Sequence, residues 1–235
     1  MCNYTIIGGG LAGLSCAYKL LQMEINPKSI NIIEARQEIG SPTRSPGISL
    51  NTENFNMLAN NIKFQPLTKL CYNQNYITFR REWFEKSILI YLTKLGCNIE
   101  LKKTVKNNFR SFLNDNVIIN CAGNKLKSSG FPGDYTDFSR LVNVLNLEKN
   151  LETVPWYGYL TINPVVTQNS DDIFSIHKEG DYFETWTRSN SYEEITKLGL
   201  IEIMKSDFPS GIKNIFANNT IDRGFTLANK AKNIR

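Results

Sequence analysis

The stretch "TIIGGGLAGLSCAYKLL" (residues 5–21) restricts the fold of this chain more than any other. The run "NYTIIG" (3–8) is apolar, rich in β-branched residues and closed by glycine, and it reads as a buried strand. "LAGLSCAYKLLQM" (11–23) has helical periodicity, with Leu11, Leu14, Ala17, Leu20 and Leu21 on one face. Gly8-x-Gly10-x-x-Gly13 joins the two, and each glycine has its own mechanical reason. The first permits the tight turn, the second lets a pyrophosphate approach the backbone, and the third lets the helix pack closely on the strand. With Leu11 and Ala12, the start of the helix then offers free N–H groups and a positive dipole end to an anion. No lysine follows at the Walker position, so a nucleotide-triphosphate loop is excluded.

After the turn residues "NPKS" (26–29), "INIIEA" (30–35) forms a second buried strand and completes a βαβ unit. Parallel strands buried in this way need helices on both faces of the sheet. Glu34 ends that strand, 21 residues beyond Gly13. An acid at this distance accepts the ribose hydroxyls of an adenosine moiety, so strand, loop, helix, strand and acid together read as a dinucleotide-binding fingerprint.

The rest of the chain is read more coarsely. "TENFNMLANN" (52–61) is expected as a helix after a Gly/Pro-rich loop, and residues 64–79 as two short strands. "REWFEKSILIYLTKLG" (81–96) is expected as a helix with Trp83, Phe84, Ile88, Tyr91 and Leu92 on one face, stopped by Gly96. "CNIELKK" (97–103) and "NVIINCAG" (116–123) read as strands. From about residue 124 the pattern changes. Residues 156–166, 172–180 and 181–189 alternate apolar and polar side chains, which suggests an antiparallel sheet with "KEGD" as a hairpin turn. Residues 191–208 read as an amphipathic helix with Ser191 as N-cap, and 209–216 as the start of another. The expected fold class is α/β: a Rossmann-like dinucleotide-binding domain with a parallel sheet (1–124), an antiparallel-sheet lobe (125–190), and C-terminal helices returning to the first domain (191–235).

Composition narrows the function. The chain has 235 residues, 41% of them hydrophobic, enough for a sizeable core. The net charge of +5 is spread along the sequence, which gives a weak anion preference but no nucleic-acid groove. Cysteines stand at 2, 16, 71, 97 and 121, an odd count without CxxC spacing, and His177 is the only histidine. A zinc site therefore lacks ligands, and a reducing, cytoplasmic setting is expected. No signal peptide is read ahead of the first strand. "SILIYLTKLG" (87–96) is too short to span a bilayer. Peripheral membrane contact and a partner chain are left open.

Gly8–Gly13 with Ala17, followed by "IIEAR" (32–36), resembles the N-terminal FAD-binding signature of two-dinucleotide-binding-domain flavoproteins. Later stretches resemble one branch of these, the para-hydroxybenzoate-hydroxylase-like monooxygenases, geranylgeranyl reductases and lycopene cyclases. "FRREWFEKSI" (79–88) is similar to that branch's arginine at a helix head, "GCNIEL" (96–101) to the strand after it, and "VIINCAGN" (117–124) to a strand and small-residue turn near the cofactor. "FSR" (138–140) and residues 193–216 follow in the same order.

The resemblance implies bound FAD, with Glu34 on the adenosine ribose, Ala35 and Arg36 beside it, and Ala122 and Gly123 at the turn near the cofactor. It also puts Arg44 or Arg81 in reach of the cofactor. It implies an oxidoreductase of monooxygenase or reductase type acting on an apolar or aromatic small molecule, with NAD(P)H as a candidate reductant. One family feature has no match. The Gly-Asp motif whose acid binds the ribityl chain is not found, and "NNTIDRGFTLANKAKNIR" (218–235) offers only Asp222-Arg-Gly224, in the reverse order. Two alternatives follow: a non-catalytic binding protein on a degenerate scaffold, as in the Rab GDP-dissociation inhibitors, or a loop that holds NAD rather than FAD, since both carry the same adenosine diphosphate half.

The other chemical residues have plain structural readings. His177 lies in an alternating strand, as an ordinary sheet histidine does. Trp156, Tyr157, Tyr159, Phe174, Tyr182, Phe183 and Trp186, at period-two spacing, read as sheet core before a substrate wall. Cys16 and Cys121 read as small core residues.

Overall fold

The computed structural model describes residues 3–41, 43, 45–62, 67–72, 76–105, 116–122, 141–142, 153–165, 173–188, 190, 192–209 and 215–233. Strand β1 (Asn3–Ile7), helix α1 (Leu11–Gln22) and strand β2 (Ile30–Ile33) form the βαβ unit read from the sequence. β1 is covered on both sides, with Tyr4, Thr5, Ile6 and Ile7 all buried, which explains its continuous apolar run. The connection into β2 is a short 3-10 turn at Pro27–Ser29, where the Asn26 side chain accepts from the Lys28 amide at 3.0 Å.

There follow β3 (Ile48–Ser49), α2 (Glu53–Ile62), β4 (Cys71–Tyr72), β5 (Ile77–Thr78), α3 (Arg81–Leu95), β6 (Asn98–Glu100), β7 (Asn116–Asn120) and β8 (Leu141–Val142). β6-β2-β1-β7-β8 make a five-stranded parallel sheet, and β3-β5-β4 a small antiparallel one. α3 ends at Gly96 as expected and buries Phe84, Ile88 and Leu92, while Trp83 and Tyr91 are half-buried. β9 (Thr153–Thr161), β10 (Ile173–Glu179) and β11 (Tyr182–Thr187) form the expected antiparallel sheet.

The helix expected over 191–208 is not there. A short helix α4 (Tyr192–Thr196) stops, the chain turns at Gly199 with φ +76°, and β12 (Leu200–Pro209) runs antiparallel to β9 from Leu200 opposite Thr161 to Pro209 opposite Thr153. Exposure, rather than residue type, alternates along this stretch. Ile201 and Ile203 face outward at 50% and 48% exposure, and Met204 between the outward residues is buried. The sheet order is therefore β10-β11-β9-β12.

The helix expected to begin within 209–216 begins later. It is α5 (Ala217–Lys232), which carries Asp222 and Gly224. α5 lies along α1. A Cβ at Gly224 would meet the Ala12 carbonyl oxygen at 2.4 Å, and Phe225 stacks on Tyr18 with ring centroids 6.0 Å apart. The main core joins β1, α1, α2, α3 and α5. A second core, Trp156, Trp186 and Met204 with Ile48, Ile215 and Phe216, fastens the antiparallel sheet to the small sheet and to the segment entering α5.

Candidate functional site

The loop after β1 has the geometry its glycines demand. Gly8 has φ +105°, and a Cβ there would lie 2.8 Å from the Ala122 nitrogen. A Cβ at Gly13 would fall 1.9 Å from the Gly8 carbonyl oxygen, so helix and loop are in direct contact. At Gly10 a Cβ would meet nothing within 4 Å. The second glycine thus opens onto free space while the first and third are packed. Both flanking strands pin the turn: the Gly8 amide donates to Ile33 O and the Cys121 amide to Ile7 O, each at 2.8 Å. α1 begins here with no side-chain cap and no acid in its first turn, so its N-terminal positive potential is not neutralised from within the helix.

Gly8 and Gly10 line a cavity of about 460 Å³ at the C-terminal edge of the parallel sheet, together with Glu34, Ala35, Arg36 and Ala122. This is the size of a small-molecule site, at the edge where open α/β sheets bind ligands. Leu11, Ala12 and Gly13 are buried in the first turn of α1 behind it. Arg44 and Gly123 lie outside the described residues, as does the "FSR" stretch. Arg81 is buried on α3 and does not line the cavity; its Nε donates to Glu85 Oε1 at 2.8 Å.

Glu34 is 6% exposed. Its Oε2 accepts the Gly9 amide at 2.7 Å and Arg36 Nη2 at 3.3 Å; its Oε1 accepts the Arg36 amide at 2.9 Å and Arg36 Nε at 3.1 Å. Burial by itself pushes the carboxyl up. The hydrogen bonds and charge of Arg36, with the Gly9 amide, outweigh burial and hold the group below the usual carboxylate value. The acid is therefore ionised at the cavity wall. Arg36 is held above its ordinary value: burial opposes its charge, and Glu34, with the charge of Glu85, outweighs burial.

The lining beside Glu34 on the β6 side was not read from the sequence. Lys103, Thr104 and Val105 also line the cavity. They arrive through parallel pairing of β6 with β2, extended past the strand ends by Lys102 N to Arg36 O and Lys103 N to Glu34 O, both 3.0 Å. The readable signal was that a strand parallel to β2 must leave the sheet at the same edge as Glu34. Cys121 lines the cavity as well, beyond the core role read for it.

The remaining candidates are structural. His177 is buried, with Nε2 3.0 Å from Glu179 Oε2 and Nδ1 3.4 Å from Thr78 Oγ1. Burial lowers its pKa and Glu179 only partly offsets this. Trp156, Tyr159 and Trp186 are core, and a Cβ at Gly158 would meet the Trp186 ring at 2.7 Å. Cys16 is buried, and burial followed by the neighbouring Cys121 thiol pushes its pKa up, which keeps the thiol unreactive. Among the described residues no helix is long and apolar enough to cross a membrane.

Fold and loop together define a class: a Rossmann-like α/β chain with an added antiparallel sheet. Residues 6–65 match the family model of the NAD(P)-binding Rossmann-like domain. No curated protein matches the chain in sequence. Among solved structures, it is similar to a geranylgeranyl bacteriochlorophyll reductase-like protein from Thermoplasma acidophilum, at 14% identity and TM-score 0.61, over 99% of this chain and 78% of that one. A flavoprotein/dehydrogenase from Cytophaga hutchinsonii follows at 10% identity and TM-score 0.56, covering 98% and 77% of the two chains. Aklavinone-11 hydroxylase, in a complex with FAD and aklavinone, gives 11% identity and TM-score 0.57 over 97% of this chain and 62% of that one. The chain thus shares its fold with these solved structures, which include a reductase-like protein and a hydroxylase of the kinds the sequence resembles.

Proposed function

We propose that this protein is an FAD-dependent oxidoreductase of monooxygenase or reductase type, holding the adenosine diphosphate half of FAD in the Glu34 cavity. The observation that carries the reading is the pairing of an ionised, buried Glu34 with the open face of Gly10 in one cavity at the sheet edge. Gly10 leaves the backbone accessible to a diphosphate, the first turn of α1 supplies donors, and Glu34 accepts the ribose hydroxyls. Bound FAD would supply the hydride or oxygen chemistry, with NAD(P)H as reductant, while the chain supplies placement and electrostatics. An apolar or aromatic small-molecule substrate is supported by the likeness to the hydroxylase in complex with aklavinone, and a reducing, cytoplasmic setting by the odd number of cysteines without CxxC spacing. The absorbance spectrum of the purified protein tests the proposal. A protein with no flavin absorbance, even after FAD is added and excess removed, would sink it.

A second reading, nucleotide binding without flavin chemistry, is favoured by one observation. Asp222, the only acid in the stretch where a ribityl-binding acid was sought, accepts Asn54 Nδ2 at 2.7 Å, and Gly224 is packed on Ala12. On this reading NAD or ADP raises the melting temperature as much as FAD does.

A further inference from the structure

A carboxylate accepts at about four lone-pair positions. Those of Glu34 are all engaged by protein donors. Two are backbone amides, Gly9 at 2.7 Å and Arg36 at 2.9 Å, fixed by the loop and the strand end. The other two belong to one side chain, with Arg36 Nε on Oε1 at 3.1 Å and Nη2 on Oε2 at 3.3 Å. A ribose diol donates in the same pattern as this guanidinium edge, one donor to each oxygen. The amides cannot leave without breaking the fold, whereas the Arg36 side chain is 34% exposed and can.

We propose that the Arg36 guanidinium is a resident occupant of the ribose-diol position, and that a nucleotide reaches Glu34 by exchanging its two hydroxyls for Arg36 Nε and Nη2. The inference rests on the reading of the Glu34 cavity as the nucleotide site. Arg36 is then a specificity-determining residue. A ligand with both hydroxyls replaces both donors and leaves the carboxylate satisfied. A ligand lacking them cannot displace the guanidinium, and gains nothing from Glu34. The positive charge of Arg36 attracts the diphosphate of either ligand alike, so it cancels when the two are compared.

The test is calorimetric titration of the full chain with ADP and with 2′,3′-dideoxy-ADP. Wild type is compared with Arg36→Met and with Arg36→Lys, which keeps the charge but loses the two-pronged geometry. The quantity read is the ratio of the two dissociation constants, dideoxy-ADP over ADP. Loss of a half-exposed ion pair as competitor should raise this ratio about fivefold in Arg36→Met. Arg36→Lys should raise it in the same direction. A ratio unchanged or reduced in both variants overturns the exchange and leaves the nucleotide site standing. Failure of ADP to bind even the wild type overturns the site reading itself, and the exchange with it.

Discussion

The three glycines of the loop differ in what surrounds them, and that difference is measurable. A methyl at Gly13 would stand 1.9 Å from the Gly8 carbonyl oxygen and 3.3 Å from Ile6 Cγ2, so either the loop or α1 has to move. Overpacking against a backbone atom lies at the upper end of its usual range, about 3 kcal/mol or more for Gly13→Ala. For a chain of this size that lowers the melting temperature by roughly 6–12 °C. For Gly10→Val the added Cβ meets nothing within 4 Å, and Gly10 already has an extended backbone at φ −75°, ψ −178°. Its stability loss is limited to a poorer helix N-cap, about 1 kcal/mol, or roughly 2–4 °C. Its effect falls on the ligand, because the side chain projects into the space a diphosphate needs. Thermal melts followed by circular dichroism, with and without millimolar ADP, separate the two. Gly13→Ala should melt far lower than Gly10→Val, and only Gly10→Val should lose the ligand-induced rise while keeping a near-native melt. Equal melting temperatures for the two variants would refute the assignment of one glycine to packing and the other to the ligand.

Three further outcomes are expected. Glu34 has a folded pKa below its unfolded value of about 4.3. Its contribution to stability is therefore complete above about pH 4.3 and lost as the pH falls through the lower folded value. The urea midpoint should fall less between pH 5 and pH 3 in Glu34→Gln than in wild type, and equal falls would contradict the ionised assignment. His177 has a folded pKa below about 6.5, so its neutral form supports the fold above that pH and the support is lost as the pH falls through the folded value. As the only histidine, its ring resonances can be followed by NMR without assignment, and a midpoint at or above 6.5 would count against the buried, neutral ring. Gly224→Ala places a methyl 2.4 Å from Ala12 O and should weaken ADP binding along with stability, although α5 does not line the cavity; unchanged ADP affinity would show that α5 does not hold α1 in place.

What could be read from the sequence follows from how local each demand is. The loop and Glu34 were legible because a tight turn, a close helix and a ribose-binding acid each place a specific residue at a specific offset. β12 was misread because Leu, Ile and Met between 198 and 208 satisfy a helical face about as well as an alternating one. The deciding residue, Gly199, is a left-handed turn that pattern alone does not reveal. α5 was placed too early, from 209–216, because its buried face mixes small residues, Ala217, Gly224, Ala228 and Ala231, with Ile221, Phe225 and Leu227, so the pattern does not mark where the helix starts. The lining residues Lys103–Val105 depend on which strand pairs with β2, and that is a property of topology rather than of any stretch of sequence. The Arg36 bond to Glu34 is equally hidden, because only the strand ending at Ile33 turns both side chains to one cavity.

On the proposed reading, the two ends of FAD are served unequally by this chain. At the adenosine end the loop meets fixed elements, Gly8 pinned between β2 and β7 and Gly13 lying against the loop, and Glu34 is held ionised by the Arg36 side chain together with the Arg36 and Gly9 amides. At the other end, the residues that looked like a remnant of a flavin motif have structural work of their own. Asp222 ties α5 to α2 through Asn54, Asn218 accepts the Leu50 amide at 3.1 Å and ties α5 to the strand β3 segment, and Gly224 sets the distance between α5 and α1. These contacts make α5 a brace for the helix whose first turn borders the nucleotide cavity. On the proposed reading, Asp222 and Gly224 of α5 are not the residues that position an isoalloxazine, because Asp222 is committed to Asn54 and Gly224 to the close approach of α1.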